Sequence, residues 1–261
     1  MRELGLHVAA KRPSLEKEKI MLQLVTIFLL SVVLASQASA ETIEWEGRKF
    51  ETVNVKAAVV NFRGEQVLRV ERDLKAFPYD INREVETVDD RHYLKLKGFE
   101  FRDGIFEVKV FARVQEPPPM PRAQGFIGVY FRAKQDDSAF ESIYLRPNCG
   151  RSNIQAMRNH AVQYFAYPGF KFADLRKEAP GLYETYADIG LEEWITMRIH
   201  VTGEKAELYL NDARYPSFIV NKMKGTSKAG TIGLYVDVGT EGYFKDFRII
   251  SSIHPTTGGG A

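Results

Sequence analysis

The chain has 261 residues, with 36 Lys and Arg against 34 Asp and Glu and a formal charge of +2. A balance this even, with no basic block, excludes a domain that holds nucleic acid through phosphate contacts. A single cysteine, Cys149, excludes an internal disulfide.

Met21 to Val33 is an apolar run too short to span a bilayer, and it leads to Ala38–Ser39–Ala40 before Glu41. With Lys17 and Lys19 ahead of it, the run predicts a secretory signal peptide over residues 1–40, Met21 being an alternative start. Cleavage there removes five of the 36 basic and three of the 34 acidic residues, so residues 41–261 carry 31 of each. A bacterial periplasmic or secreted protein is expected, with no membrane insertion after cleavage. The 221 residues that remain suit one domain over 41–252 with a disordered tail over 253–261, whose last six residues read TTGGGA.

Two-residue alternation then dominates. It predicts strands at Ala57–Phe62, Gln66–Glu71, Tyr93–Leu96, Gly104–Arg113, Phe126–Arg132, Phe140–Arg146, Ala161–Tyr167, Trp194–Val201, Ala206–Leu210, Gly230–Val236 and Gly242–Ile250. Glu116–Pro121 reads EPPPMP and stays outside any central ladder, because proline has no amide donor. Polar segments 148–159 and 177–188 are long loops, and a helical turn near Phe172–Lys177 begins close to Asp174. Many short strands without a long amphipathic helix predict an all-β fold, a sandwich or jelly roll of two antiparallel sheets.

The stretch Gly125–Tyr167 holds the candidate ligand residues. Two runs end in aromatic–x–Arg, Tyr130–Phe131–Arg132 and Tyr144–Leu145–Arg146, and a third follows Arg158, Asn159 and His160 and carries Gln163 and Tyr164. Such residues on adjacent strands suit a polar, sugar-sized ligand. Parity puts Ile127, Val129 and Phe131 on a core face and Tyr130 and Arg132 on an open concave face, with Gly128 leaving room for the ligand. Parity leaves the third strand open: either Gln163 joins that face and His160 reaches it from the strand end, or His160 and Tyr164 join it. Glu184 and Tyr186, in the second long loop, border the site. His92 and His200 read as structural or exposed, and Trp194 as packing. No zinc-ligand spacing and no phosphate-cradling glycine loop is present. No cofactor is expected; calcium on Asp136, Asp137 and Asp237 is the alternative, although no calcium loop is spelled out.

From Gly104 to Ile249 the order of elements carries a resemblance. GIFEV at 104–108 is followed by GVYFR at 128–132, WITMR at 194–198, GEKAELYLND at 203–212, GTIGL at 230–234 and GYFKDFRI at 242–249. This set resembles the concanavalin A-like lectin/glucanase superfamily, closest to bacterial 3-keto-disaccharide hydrolase domains and laminin-G-like secreted modules. The resemblance implies a jelly-roll sandwich with a carbohydrate site on the concave sheet or its loops. The glucanase pattern of several carboxylates on one strand is missing, since Glu107–Val108–Lys109–Val110–Phe111 has one. Four functions stay open. A glycoside or 3-keto-glycoside hydrolase would use Glu141 or Glu184 with His160 as proton shuttle. A β-eliminating lyase would use Arg132 or Arg146 for the substrate carboxylate, His160 as base and Tyr164 as acid. A binding module would stack sugars on Tyr130 and Tyr144, and an adhesion module would do no chemistry.

Overall fold

A computed structural model describes residues 40–253. The predicted signal peptide, Ala40 apart, and the predicted tail, Ile253 apart, lie outside the described residues.

The fold is all-β: a concanavalin A-like jelly roll of two antiparallel sheets. Its strands are β1 (Thr42–Trp45), β2 (Arg48–Val53), β3 (Val55–Phe62), β4 (Glu65–Arg72), β5 (Tyr93–Leu96), β6 (Asp103–Val114), β7 (Ile127–Ala133), β8 (Phe140–Leu145), β9 (Val162–Tyr167), β10 (Glu184–Thr185), β11 (Ile195–Thr202), β12 (Lys205–Leu210), β13 (Phe218–Val220), β14 (Thr231–Val236) and β15 (Thr240–Ile253). One sheet has the order β1-β2-β5-β14-β7-β8-β9-β10 and the other β13-β12-β11-β6-β15-β4-β3. All eleven strands expected from alternation are present, with ends shifted by no more than three residues. Among the described residues β1, β2, β10 and β13 were not anticipated.

Turn chemistry sets the registers. Glu46 and Gly47 both have positive φ, 47° and 69°, as the two-residue loop joining β1 to β2 requires. Gly203, at φ 59°, opens the two-residue turn between β11 and β12, where Thr202 pairs with Lys205. Asn211, at φ 53°, opens the next turn directly after β12, and its side chain accepts from the Thr196 amide at 3.0 Å.

The core lies between the sheets. Ile127, Val129, Phe131, Ile143, Leu145 and Leu234 of the first sheet meet Phe106, Val108, Val110, Met197, Ile199 and Leu208 of the second, all at most 1% exposed. Phe244 and Phe247 are buried with them, and Ile249 packs on the rim. Trp194 packs on the outer side of the second sheet, against Phe111 and Phe62.

The outer face of the first sheet departs from the expectation of an open concave surface. Tyr93, Tyr130, Phe140, Tyr144, Phe165 and Tyr235 form one aromatic layer there, all at most 1% exposed. Tyr93 stacks on Tyr130 at 4.0 Å, and Tyr144, Phe165 and Tyr235 lie 5.5–5.8 Å apart. Segment 73–92 lies against this layer. Arg72 bonds the carbonyls of Phe77 and Pro78, and the Phe77 ring meets His92, which in turn meets Tyr235. Rings of this size remove too much apolar area from water to stay exposed when a chain segment can cover them. Gly128 leaves no room for a ligand. A β-carbon there would come within 2.4 Å of the Ile143 carbonyl and 2.5 Å of Tyr144 Cα, so the glycine admits the neighbouring strand.

Candidate active-site cleft

A cleft of about 290 Å³ opens at one end of the first sheet. Phe126 precedes β7, Arg146 follows β8, His160 precedes β9 and Asp237 follows β14, so antiparallel pairing gathers all four at that end. Asp89 comes from segment 73–92. Phe172 and Arg176 come from the helix Phe172–Glu178, whose start is fixed where Asp174 accepts from the Lys171 amide at 3.1 Å. The predicted helical turn stands there. The Lys171 ammonium binds the carbonyls of Glu86 and Val88, at 3.0 and 2.9 Å, and the Asp90 carboxylate, at 3.1 Å, and so ties the two wall segments together.

Arg146 forms the floor. Pro147 ends the strand after it, starting a short helix at Pro147–Gly150. The guanidinium is buried, and its hydrogen bonds all go to neutral acceptors: the Tyr144 hydroxyl at 2.6 Å, the Gln163 amide oxygen at 3.3 Å and the His160 carbonyl at 3.3 Å. Phe126 and Phe172 present their ring faces to it at 5.9 and 5.6 Å. A buried cation satisfied this way attracts negative charge that develops above it.

Two carboxylates stand beside it in different states. Asp237 is saturated: Arg72, the Tyr235 hydroxyl and the amides of Asp89 and Val238 all donate to it within 2.9 Å. Asp89 accepts from the Phe172 amide at 2.8 Å, and burial pushes its carboxyl up to about 6 against the pull of Arg146. Behind them His92 is fully buried, and burial drives its pKa down to about 4, so it sits neutral.

His160 and Glu184 complete the cleft. Glu184 pairs across from Gln163 in the β9–β10 register, so it shares the face of Tyr144. Its Oε2 lies 2.7 Å from His160 Nδ1 and accepts from Arg176 at 2.8 Å. Glu184 acts as acceptor, so Nδ1 carries the proton and Nε2 keeps a lone pair. Burial, helped by the Arg176 charge, lowers the His160 pKa and so favours the neutral ring, against the pull of Glu184. Its side chain is 28% exposed, enough to meet a ligand.

The predicted site residues therefore divide. Arg146, Gln163, His160 and Glu184 come together, by the arrangement in which Gln163 joins the Tyr144 face and His160 reaches it from the strand end. Arg158 and Tyr186 pair just outside, with the guanidinium donating to the phenol oxygen at 2.8 Å. Asn159 is exposed and bonded to Gln155. Tyr144 lends the cleft its hydroxyl and buries its ring, so neither it nor Tyr130 offers a stacking surface.

Arg132, Glu141 and Tyr164 form a separate cluster that lines no part of the cleft. A bulge between Thr231 and Gly233, with Arg132 at φ 54°, turns that side chain away from the outer face. Arg132 bonds Asp103 and the carbonyls of Arg102 and Gly203, each at 2.8 Å, and lies 3.7 Å from Glu141. Tyr164 falls on the core face by parity with Val162 and donates to Glu141 at 2.5 Å. The candidate calcium ligands are engaged elsewhere, Asp137 with Lys95 and Tyr93, Asp136 with Ser138 and Asp237 with Arg72. Among the described residues no group of three or more His, Cys, Asp or Glu side chains could hold a metal ion, and no helix is long and apolar enough to cross a membrane. Asp89, Phe172 and Arg176 were missed. The run VDDRHY, two aspartates at the mouth of a strand, was the available signal for Asp89.

The jelly roll and the cleft at its strand ends, taken with the family match that follows, make this a carbohydrate-binding or glycoside-hydrolase-like domain. The chain belongs to the 3-keto-alpha-glucoside-1,2-lyase-like domain family, whose model matches residues 42–250. No curated protein matches the sequence. Among solved structures it is similar to the carbohydrate-binding module CBM66 from Bacillus subtilis, with 10% identity, a TM-score of 0.46, and 75% of this chain and 94% of that one covered. It is also similar to a Bacillus subtilis protein of unknown function with a galectin-like fold, with 10% identity, a TM-score of 0.42 and coverage of 75% and 87%. A Caenorhabditis elegans galectin matches at 10% identity and a TM-score of 0.31, over 57% of this chain and 91% of that one. At these identities the likeness says nothing about activity.

Proposed function

We propose that the protein is an extracytoplasmic enzyme that cleaves 3-keto-glycosides by elimination across C1 and C2. The observation that carries this reading is a buried guanidinium, Arg146, without a carboxylate among its hydrogen-bond partners, beside a histidine oriented by Glu184. A ketone at C3 acidifies the C2 hydrogen. His160 Nε2 removes that proton, and the electron pair moves into an enolate whose C3 oxygen lies toward Arg146. The enolate collapses to a C1–C2 double bond, the C1–O bond breaks, and the protonated fraction of Asp89 gives the leaving oxygen its proton. Water added across the double bond afterwards makes the net result a hydrolysis. The family match supports the substrate class, and the apolar run before Ala38–Ser39–Ala40 supports export.

Incubation of residues 41–261 with a 3-keto-α-glucoside, followed by mass spectrometry, should release the free alcohol and an unsaturated keto-sugar one water lighter than the hydrolysis product. His160→Ala should lower kcat by about 10²–10³-fold, the range for a general base. The wild-type profile should be bell-shaped, falling at low pH as His160 gains a proton and at high pH as Asp89 loses its own. Undiminished turnover in the His160 variant would remove it from the chemistry.

A further inference from the structure

Just outside the cleft stands a pair of residues that the elimination chemistry leaves unused. Arg158 lies two residues before His160, and Tyr186 two residues after Glu184, so the Arg158–Tyr186 pair stands beside the His160–Glu184 pair on the same two chain segments. Exposure rises along this line. Gln163 is fully buried, the His160 side chain is 28% exposed, and Tyr186 reaches 39%. Arg158 fixes the Tyr186 ring twice, donating to its hydroxyl at 2.8 Å and covering one ring face at 4.8 Å. Among the described residues no other ring or cation stacks on it. Ile154 and Leu182, 63% and 55% exposed, lie on the same two loops. An immobilised tyrosine face beside the His160–Glu184 pair suits the C–H face of a sugar ring. Stacking there costs little entropy, because the ring is already held.

We propose that Tyr186, positioned by Arg158, forms a second subsite that stacks the leaving sugar, and so sets a preference for keto-disaccharides over small glycosides. This rests on the elimination reading for the reaction, though the subsite itself is a binding claim. The test compares wild type, Y186A, R158A and Y186F on a 3-keto-disaccharide and on methyl 3-keto-α-glucoside. Turnover and calorimetric binding are both measured. In Y186A the ratio of kcat/KM between disaccharide and methyl glycoside should fall about ten-fold or more. R158A, with the ring unpinned, should show a smaller fall of the same kind, and Y186F should stay near wild type. Equal losses on both compounds, or an unchanged ratio, overturn the subsite. If wild type turns over neither compound, the elimination reading fails, and binding alone decides the subsite. It then stands only if wild type binds the disaccharide more tightly than the methyl glycoside and Y186A removes that difference.

Discussion

Tyr164→Phe separates structure from chemistry in the cluster that the sequence suggested for catalysis. The substitution removes one oxygen, which donates to Glu141 Oε2 at 2.5 Å and accepts from the Lys224 amide at 2.6 Å. Glu141 is 1% exposed, and its Oε1 already lacks a hydrogen-bond partner. Losing the remaining strong donor to a buried carboxylate costs about 3 kcal/mol. For a domain of this size that lowers Tm by roughly 6–12 °C. The pH dependence is diagnostic. Burial raises the Glu141 pKa above its ordinary value, and the Tyr164 bond is the main force lowering it. A carboxyl whose folded pKa is raised favours folding while protonated and loses that contribution as pH rises through the folded pKa. Removing the tyrosine oxygen moves the folded pKa further up. The variant should therefore fall short of wild type most at about pH 8, and far less at about pH 4.5. Urea unfolding of residues 41–261 at the two pH values measures this directly. An equal deficit at both, or one below about 1 kcal/mol at the higher pH, would refute the argument. A large loss of kcat in the folded variant would return Tyr164 to the chemistry.

Asp89→Asn should stabilise the protein while abolishing its acid step. A carboxyl raised from 3.8 to about 6 loses about 3 kcal/mol of stability by neutral pH, so the variant's advantage should appear between about pH 4 and pH 7. Wild type proving the more stable at pH 7 by urea unfolding would contradict this. Gly128→Ala drives a β-carbon into the backbone of β8 and should cost at least about 3 kcal/mol or prevent folding. A variant with wild-type circular dichroism and melting temperature would show that the strands can part.

Much of the sandwich was legible because strand periodicity and burial are the same signal. Ile127, Val129 and Phe131 alternate in sequence and all point into the core. The β1–β2 hairpin was not legible, because its strands carry Lys49, Glu51 and Thr52 and lack a continuous apolar face. Parity failed in two ways at the candidate site. At Arg132 a bulge reverses the side chain, and a one-residue irregularity leaves no trace in a pattern of alternating types. At Tyr130 and Tyr144 the face was read correctly, but it is covered: Tyr130 by the rings of Tyr93 and Phe140, and Tyr144 beside Asp89 of the distant segment 73–92. His160 and Glu184 were recognisable as polar residues at loop–strand junctions. Their contact depends on β10, two residues long and invisible to periodicity. Asp89 owes its chemistry to burial by distant segments, which one sequence does not display.

The order of strands in space differs from their order of synthesis. β14 sits between β5 and β7, and β15 sits between β6 and β4, so the two strands nearest the C-terminal end occupy central positions in both sheets. Until residues 231–250 leave the ribosome, each sheet is two fragments facing an empty slot. Arg146 and His160 are made long before Tyr235 and Asp237 arrive to close the floor beneath them. The chain can acquire neither its core nor its cleft piecemeal. Folding waits for β14 and β15 and, dominated by pairings between distant residues, proceeds slowly.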